Sequence, residues 1–152
     1  MKKINAVAVG AGVQGMVHVQ AAVESPYIDK VYVCDPDESR IAEARKLYGE
    51  KILPVSYEDA LKDPSIRFAS ISSPNHHHIR QAGDFMRQGK AVLLEKPMGA
   101  SLEEARKILS NVSLEDFDHS RFYRQGSTDH CLWNQRVAVC SEWQQTENQP
   151  SG

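Results

Sequence analysis

The stretch INAVAVGAGVQGMVHVQAA, residues 4 to 22, places a glycine-rich turn between a short apolar run and an amphipathic segment. The apolar run, residues 4–9, is typical of a strand that is covered on both faces. The turn, residues 10–15, has glycine at its first, third and sixth positions. Between a strand and a helix, such glycines allow a tight turn, the close approach of a dinucleotide's diphosphate, and close packing of helix on strand. The stretch therefore predicts the start of a dinucleotide-binding unit.

Strand-like and helix-like segments alternate along the chain to about residue 111. Four further apolar runs lie at residues 31–34, 52–55, 68–71 and 91–94. Apolar residues at helical spacing occur within residues 13–21, 41–48, 79–86 and 102–109. Two helix starts carry a hydroxyl and a carboxylate three residues apart, Ser56 with Asp59 and Ser101 with Glu104. We therefore predict an α/β fold, a doubly wound parallel sheet, over residues 1–112.

Charge and cysteine content exclude several classes of partner. The chain has 18 Lys and Arg against 20 Asp and Glu, interspersed, for a net charge of -2. We therefore expect neither a nucleic-acid surface nor a membrane surface. Cys34, Cys131 and Cys140 follow neither disulfide nor zinc spacing, which favours a reducing, cytoplasmic location. The apolar run near the first residue is too short and too glycine-broken for a secretory signal.

Asp35 ends the second predicted strand, twenty residues beyond Gly15. A carboxylate there can accept hydrogen bonds from both hydroxyls of an adenosine ribose, and its charge would repel a 2′-phosphate. NAD is therefore the expected cofactor, with NADP less favoured. Arg40 keeps the alternative open, because its guanidinium could receive that phosphate. The segment around Asp37 could also serve simply to start the next helix.

The fourth predicted strand leads into SSPNHHHIRQA, residues 72–82. Pro74 stops the strand, and Asn75 is placed to cap the following helix. Three successive histidines on a helix point in different directions and cannot share one ion, so no metal site is expected. We expect His76 and His77 to be solvated, and His78 to face the crevice at the end of the sheet.

AVLLEKPMGAS, residues 91 to 101, ends the fifth predicted strand on charge. Ligands of open parallel sheets bind at the carboxyl ends of the strands, so this charge should face the ligand. Lys96 can donate a hydrogen bond to a substrate hydroxyl or a developing oxyanion, Glu95 can orient it, and Pro97 can fix the turn. The alternative is an ordinary exposed loop with a salt bridge. His18, inside the first helix, is expected to be packed or solvated rather than catalytic.

Together, VAVGAGVQG, Asp35, SPNHHH and LLEKPMGASLEEA resemble the Gfo/Idh/MocA family of NAD(P)-dependent oxidoreductases over residues 2 to about 111. The resemblance implies a Rossmann NAD(P)-binding fold, and hydride transfer between a sugar or polyol carbon and nicotinamide. It implies catalytic roles for Lys96, Glu95 and His78. The predicted cofactor contacts are Gly10, Gly12, Val13, Gln14, Gly15, Asp35, Arg40, Ser73, Pro74, Asn75, Glu95 and Lys96.

Residues 113–152 depart from this family. Its members continue into a second α+β domain that supplies the substrate pocket, whereas this segment has no lysine and no isoleucine, against nine and eight in residues 1–112. We expect a largely disordered or non-native tail, and a chain that is chiefly the nucleotide-binding part of such an enzyme. The alternative is a stand-alone NAD-binding or sensing module that needs a partner. Formation of a homo-oligomer stays open.

Overall fold

A computed structural model of the chain describes residues 3–99, 101–103, 106, 130–133 and 137–141. In those residues, one sheet has the strand order β3-β2-β1-β4-β5-β7-β6. Its strands are β1 (Ile4–Val9), β2 (Ile28–Cys34), β3 (Ile52–Pro54), β4 (Ile66–Ile71), β5 (Ala91–Leu94), β6 (His130–Trp133) and β7 (Val137–Ser141). The helices are α1 (Val13–Glu24), α2 (Glu38–Tyr48), α3 (Tyr57–Lys62) and α4 (Asn75–Arg87), and a short 3₁₀ turn spans Gly49–Lys51.

The predicted doubly wound sheet is confirmed. Strands β1 to β5 pair in parallel, and β1 lies between β2 and β4, where the strand order reverses. Strand β2 begins three residues before its predicted start, because the exposed Asp29 and Lys30 interrupt the apolar run that the prediction relied on. The reversal places the carboxyl ends of β1, β2 and β4 around one crevice, which is the usual ligand site of such sheets.

Strand β1 forms the centre of the core, since both of its faces are covered. Val7 and Val9 pack on one side with residues of β4, β5 and α4, while Ala6 and Ala8 pack on the other with residues of α1 and β2. All four are buried. This double burial explains why the first apolar run shows no alternation of apolar and polar residues.

Two of the predicted helix caps can be compared with the structure. Ser56 caps α3 as predicted: its Oγ accepts from the Asp59 amide at 3.1 Å and donates to the Asp59 carboxylate at 2.7 Å. The prediction that Asn75 caps α4 is wrong. Pro74 occupies the cap position and its carbonyl accepts from the His77 amide, so Asn75 is already the first helical residue. Of the helix predicted at residues 102–109, the structure describes Leu102, Glu103 and Arg106, together with Ser101 of its cap, and the other residues lie outside the described ranges.

The sheet continues beyond β5 into two segments of the tail. Strand β7 pairs in parallel with β5, and β6 pairs antiparallel with β7. The disorder predicted for the tail concerns residues that are mostly outside the described ranges, and it stays a prediction there. None of the helices in the described part of the chain combines the length and apolar character that a membrane crossing requires.

Gly15 sets how closely α1 packs on β1, and we predict that a methyl group at this position destabilises the fold. A Cβ at Gly15 would lie 2.1 Å from the carbonyl oxygen of Gly10, a backbone atom held by its neighbours. We expect Gly15→Ala to lower the free energy of unfolding by about 1–3 kcal/mol, measured by urea denaturation. Gly83→Ala is the matched control, because its Cβ would meet the flexible Arg87 guanidinium at 3.2 Å. Equal stability of Gly15→Ala and wild type would contradict this account.

Candidate functional site

The glycine turn is pinned to both strands that flank β1. The Gly10 amide donates to the carbonyl of Cys34 at the end of β2 at 2.9 Å, and the Gly10 carbonyl accepts from Ser72 Oγ at 3.1 Å. Gly10 has φ 92°, and a Cβ there would lie 2.7 Å from the amide nitrogen of Ser73. Only glycine combines this left-handed conformation with such close approach. The turn therefore has a fixed position at the point where the strand order reverses.

Helix α1 begins at this turn without a capping side chain. Gly12 is in the cap position, and the first turn of the helix holds no acidic residue. A Cβ on Gly12 would meet only the Arg40 guanidinium, at 3.6 Å, so the space over this residue is otherwise open. Val13 and Gln14 are exposed in that first turn. Unsatisfied amides and the positive end of the helix dipole suit a phosphate group at this place.

Asp35 connects the end of β2 to the glycine turn. Its Oδ2 accepts from the Ala11 amide at 2.7 Å, and its Oδ1 accepts from the Asp37 amide at 2.9 Å. The side chain is only 2% exposed, and Arg40 Nη1 lies 3.4 Å from Oδ2. A carboxylate has about four acceptor positions, so capacity for a ligand hydroxyl remains. Asp35 thus shapes the turn as well as facing the crevice.

A cleft of about 760 Å³ lies at this end of the sheet, a size typical of small-molecule sites. Six of the twelve predicted cofactor contacts line it: Gly10, Gly12, Asp35, Arg40, Ser73 and Pro74. The prediction missed eleven further lining residues, among them Cys34, Val55, Tyr57, Arg80 and Gln81. Val55 and Tyr57 follow β3, so the rule that ligands meet strand ends would have found them. The predicted contacts that do not line the cleft are Val13, Gln14, Gly15, Asn75, Glu95 and Lys96.

Cys34 forms part of the apolar wall of the cleft. Burial raises the pKa of its thiol to about 11, and the neighbouring negative charges of Asp35 and Glu58 act in the same direction. The thiol is therefore protonated at neutral pH, where it behaves as a small hydrophobic group rather than as a nucleophile.

The histidine that faces the cleft is His77, and the prediction of His78 there is wrong. His77 lines the cleft, whereas His78 is 1% exposed. The Nε2 of His78 lies 2.8 Å from the carbonyl of Ser73, and its Nδ1 lies 2.8 Å from the carbonyl of Pro97. His76 is exposed, as predicted. Three successive residues of one helical turn therefore have different surroundings: His76 is exposed, His77 lines the cleft and His78 is buried.

The two charges after β5 point in different directions. Lys96 is exposed, but Glu95 is 6% exposed and lies 2.8 Å from His18 Nε2, so the expectation that both charges face a ligand is wrong for Glu95. The other Glu95 oxygen accepts from the Lys96 amide at 3.0 Å. His18 is packed, as predicted, and its Nδ1 is hydrogen-bonded to Ser70 Oγ. The peptide bond between Lys96 and Pro97 is cis.

The fold and the cleft define a Rossmann domain with a dinucleotide site. The family model described as "Oxidoreductase family, NAD-binding Rossmann fold" matches residues 4–114. The chain therefore belongs to the Gfo/Idh/MocA oxidoreductase family, and the resemblance stated from the sequence is confirmed.

The chain is similar to proteins about three times its length. It is 38% identical over 103 residues to the rhizopine catabolism protein MocA of Rhizobium meliloti, covering 65% of this chain and 31% of that protein. GenD2 from gentamicin A biosynthesis, solved in complex with NAD, matches with a TM-score of 0.65 and 27% identity, over 72% of this chain and 31% of GenD2. Levoglucosan dehydrogenase in complex with NADH matches with a TM-score of 0.62 and 25% identity, over 73% of this chain and 32% of that one.

The residues present fit an NAD coenzyme. The uncapped start of α1 and the open space over Gly12 suit the diphosphate, and the Asp35 carboxylate lines the cleft beside them. Among the described residues, no group of three or more His, Cys, Asp or Glu side chains is arranged to hold a metal ion.

Gly12→Val separates binding from folding. The Gly12 φ of -69° is open to any residue, and no backbone atom lies near its Cβ position, so we expect the variant to fold with an unchanged melting temperature. Its branched side chain would occupy the space of the diphosphate. We expect NADH affinity, measured by fluorescence titration, to fall at least about tenfold, equivalent to about 1.4 kcal/mol. Val17→Ala is the control, because Val17 is an exposed residue of the same helix that is not among the predicted cofactor contacts. Unchanged NADH affinity in Gly12→Val would place the diphosphate elsewhere.

Proposed function

We propose that this chain is the nucleotide-binding part of an NAD-dependent oxidoreductase, which moves a hydride between a sugar or polyol carbon and nicotinamide. The observation that carries the proposal is the exposed Lys96 at the end of β5, one strand from the crevice that holds the glycine turn. Membership of the oxidoreductase family supports the redox chemistry. The chain spans about a third of the length of its relatives, so the complete reaction is part of the proposal.

Lys96 would act on the substrate oxygen. Bound NAD supplies the hydride acceptor in such a site. The Lys96 amino group could take the proton of the substrate hydroxyl as the hydride leaves, and the resulting ammonium group could return it to the carbonyl oxygen in the reverse direction. A hydrogen bond from the ammonium group would also stabilise oxyanion character on that oxygen. The backbone amide of Lys96 donates a hydrogen bond to the Glu95 carboxylate. This bond fixes the position from which the Lys96 side chain extends.

One relative supports the proposed substrate class. Levoglucosan dehydrogenase is named for a sugar derivative. This favours a sugar or polyol as the substrate for this chain as well. The cysteine content supports a cytoplasmic location. Formation of a homo-oligomer stays a prediction.

We predict that the charge of Asp35 sets the choice of coenzyme. The negative charge should repel the 2′-phosphate of NADP⁺, so the wild type should bind NAD⁺ more tightly. Asp35→Asn keeps an acceptor for the Ala11 amide and removes the charge, and we expect the ratio of NAD⁺ to NADP⁺ affinity to fall by at least about tenfold in calorimetric titration. Asp37→Asn is the matched control, because Asp37 is exposed and caps α2. An unchanged ratio in Asp35→Asn would contradict the assignment.

The catalytic part of the proposal is tested with Lys96→Met. Wild-type protein is incubated with NAD⁺ and a panel of sugars and polyols that includes levoglucosan and inositol, and NADH fluorescence is followed. We expect Lys96→Met to slow NADH formation by about 10²- to 10⁴-fold, the usual contribution of an acid-base group, with NADH binding retained. Lys46→Met, which changes an exposed lysine on α2, should match the wild type. Equal turnover in Lys96→Met and wild type would overturn the catalytic part. Wild-type NADH binding without turnover on any substrate would mean that this chain acts as the nucleotide-binding part alone, since it spans about a third of its relatives' length.

A further inference from the structure

A histidine contacts the chain on each side of Lys96: His78 is buried, and the side chain of His18 is 8% exposed. Residues 95–97, which we call the Lys96 turn, contact α1 through Glu95 and α4 through Pro97. The two contacts come from different helices and reach the residues immediately before and after Lys96. Neither was foreseen from the sequence.

The first contact is a buried chain of three side chains. Ser70 on β4 bonds His18 Nδ1, and His18 Nε2 lies 2.8 Å from Glu95 Oε1. One neutral tautomer satisfies the whole chain, because the Ser70 hydroxyl can donate to Nδ1 while Nε2–H donates to the carboxylate. The second Glu95 oxygen then accepts from the Lys96 amide. The carboxylate is therefore fixed at both oxygens.

The second contact uses both nitrogens of His78. They face the carbonyls of Ser73 and Pro97, each at 2.8 Å. Ser73 lines the coenzyme cleft, and Pro97 follows Lys96. His78 thus connects the loop that borders the cleft with the turn that carries the lysine. Both partners are acceptors, so a neutral His78 donates to one carbonyl at a time, and only the doubly protonated imidazolium donates to both. Its 1% exposure keeps water from competing for these contacts.

We propose that His18 and His78 are positioning residues that fix the direction of Lys96 toward the nicotinamide end of the coenzyme. The proposal rests on the function proposed above. Each histidine lies on an element that also contributes to the coenzyme site: His18 is on the helix that begins at the glycine turn, and His78 follows the cleft-lining Ser73 and Pro74. Leucine could fill the same volumes without hydrogen bonds. Placing two imidazoles against specific acceptors on either side of Lys96 favours a role in orienting the turn rather than in packing alone.

The test compares two ligands that share their adenosine and diphosphate parts. NADH carries the nicotinamide and ADP-ribose does not, so the ratio of their affinities reports the nicotinamide end only. We expect His18→Leu and His78→Leu each to lower this ratio roughly tenfold, with ADP-ribose affinity changed by less than about twofold. His18→Gln keeps a donor near the Nε2 position and should restore most of the ratio. If the histidines had a purely structural role, the leucine variants would lose affinity for NADH and ADP-ribose alike. His18→Gln would then not restore the ratio of the two affinities.

A second readout follows Lys96 directly. Pulse acetylation with peptide mass mapping should show that NADH slows modification of Lys96 in the wild type and in His18→Gln, but not in His18→Leu. Lys46 acetylation serves as the internal control. If His18→Leu does not fold, Ser70→Ala replaces it, since this change removes only the bond to Nδ1, and a partial loss of at least about twofold in the ratio is then expected.

The outcomes separate this proposal from the function on which it rests. Absence of NADH binding to the wild type would defeat the proposed function itself. NADH binding with an unchanged NADH to ADP-ribose ratio in the histidine variants would leave the function standing and overturn the positioning role. A change in only one of the two leucine variants would contradict the participation of the other histidine.

Discussion

The hydrogen bond from the Ala11 amide to the Asp35 carboxylate is the constraint on which the rest of the site depends. At 2.7 Å to a buried charged acceptor, it belongs to the strong class of charge-assisted bonds. It joins the end of β2 to the turn after β1, and the bond from the Gly10 amide to Cys34 joins the same two segments. The start of α1 therefore cannot move relative to the strand that carries Asp35. Under the proposed function, this fixed distance would let the diphosphate and ribose contacts form together.

Buried polar side chains concentrate at the same edge of the sheet. Ser70, His78, Gln81 and Glu95 lie near the carboxyl ends of β4 and β5, and every fully buried side-chain polar atom in the described residues has a hydrogen-bond partner. Lys90 is also buried but lies at the opposite end of the sheet, where its Nζ donates to the carbonyls of Asp63 and Ile66. A polar partner for each of these groups offsets part of the cost of their burial.

The sequence predicted what depends on local pattern. Apolar runs of four to six residues locate the strands, and the glycines with Asp35 locate the turn, because strand burial and turn geometry act over a few neighbouring positions. The pair of His18 with Glu95 could not be read in this way. The two residues are 77 positions apart, and they meet only because the register of β4 against β5 aligns Ser70 with Leu93, close to Glu95. The choice among His76, His77 and His78 failed for a related reason, since it depends on how α4 is rotated against the sheet.

Helix α1 connects the two halves of the site. Its preceding turn is held by Asp35, on the side of the adenosine ribose, and His18 in its second turn is held by Glu95, on the side of Lys96. A helix of 12 residues extends about 18 Å and is stiff over that length. Because Gly15 packs it directly on the Gly10 carbonyl, α1 has no room to shift along β1. Under the proposed function, a coenzyme seated at the start of this helix would have one defined position relative to Lys96, which hydride transfer assisted by an acid-base group requires.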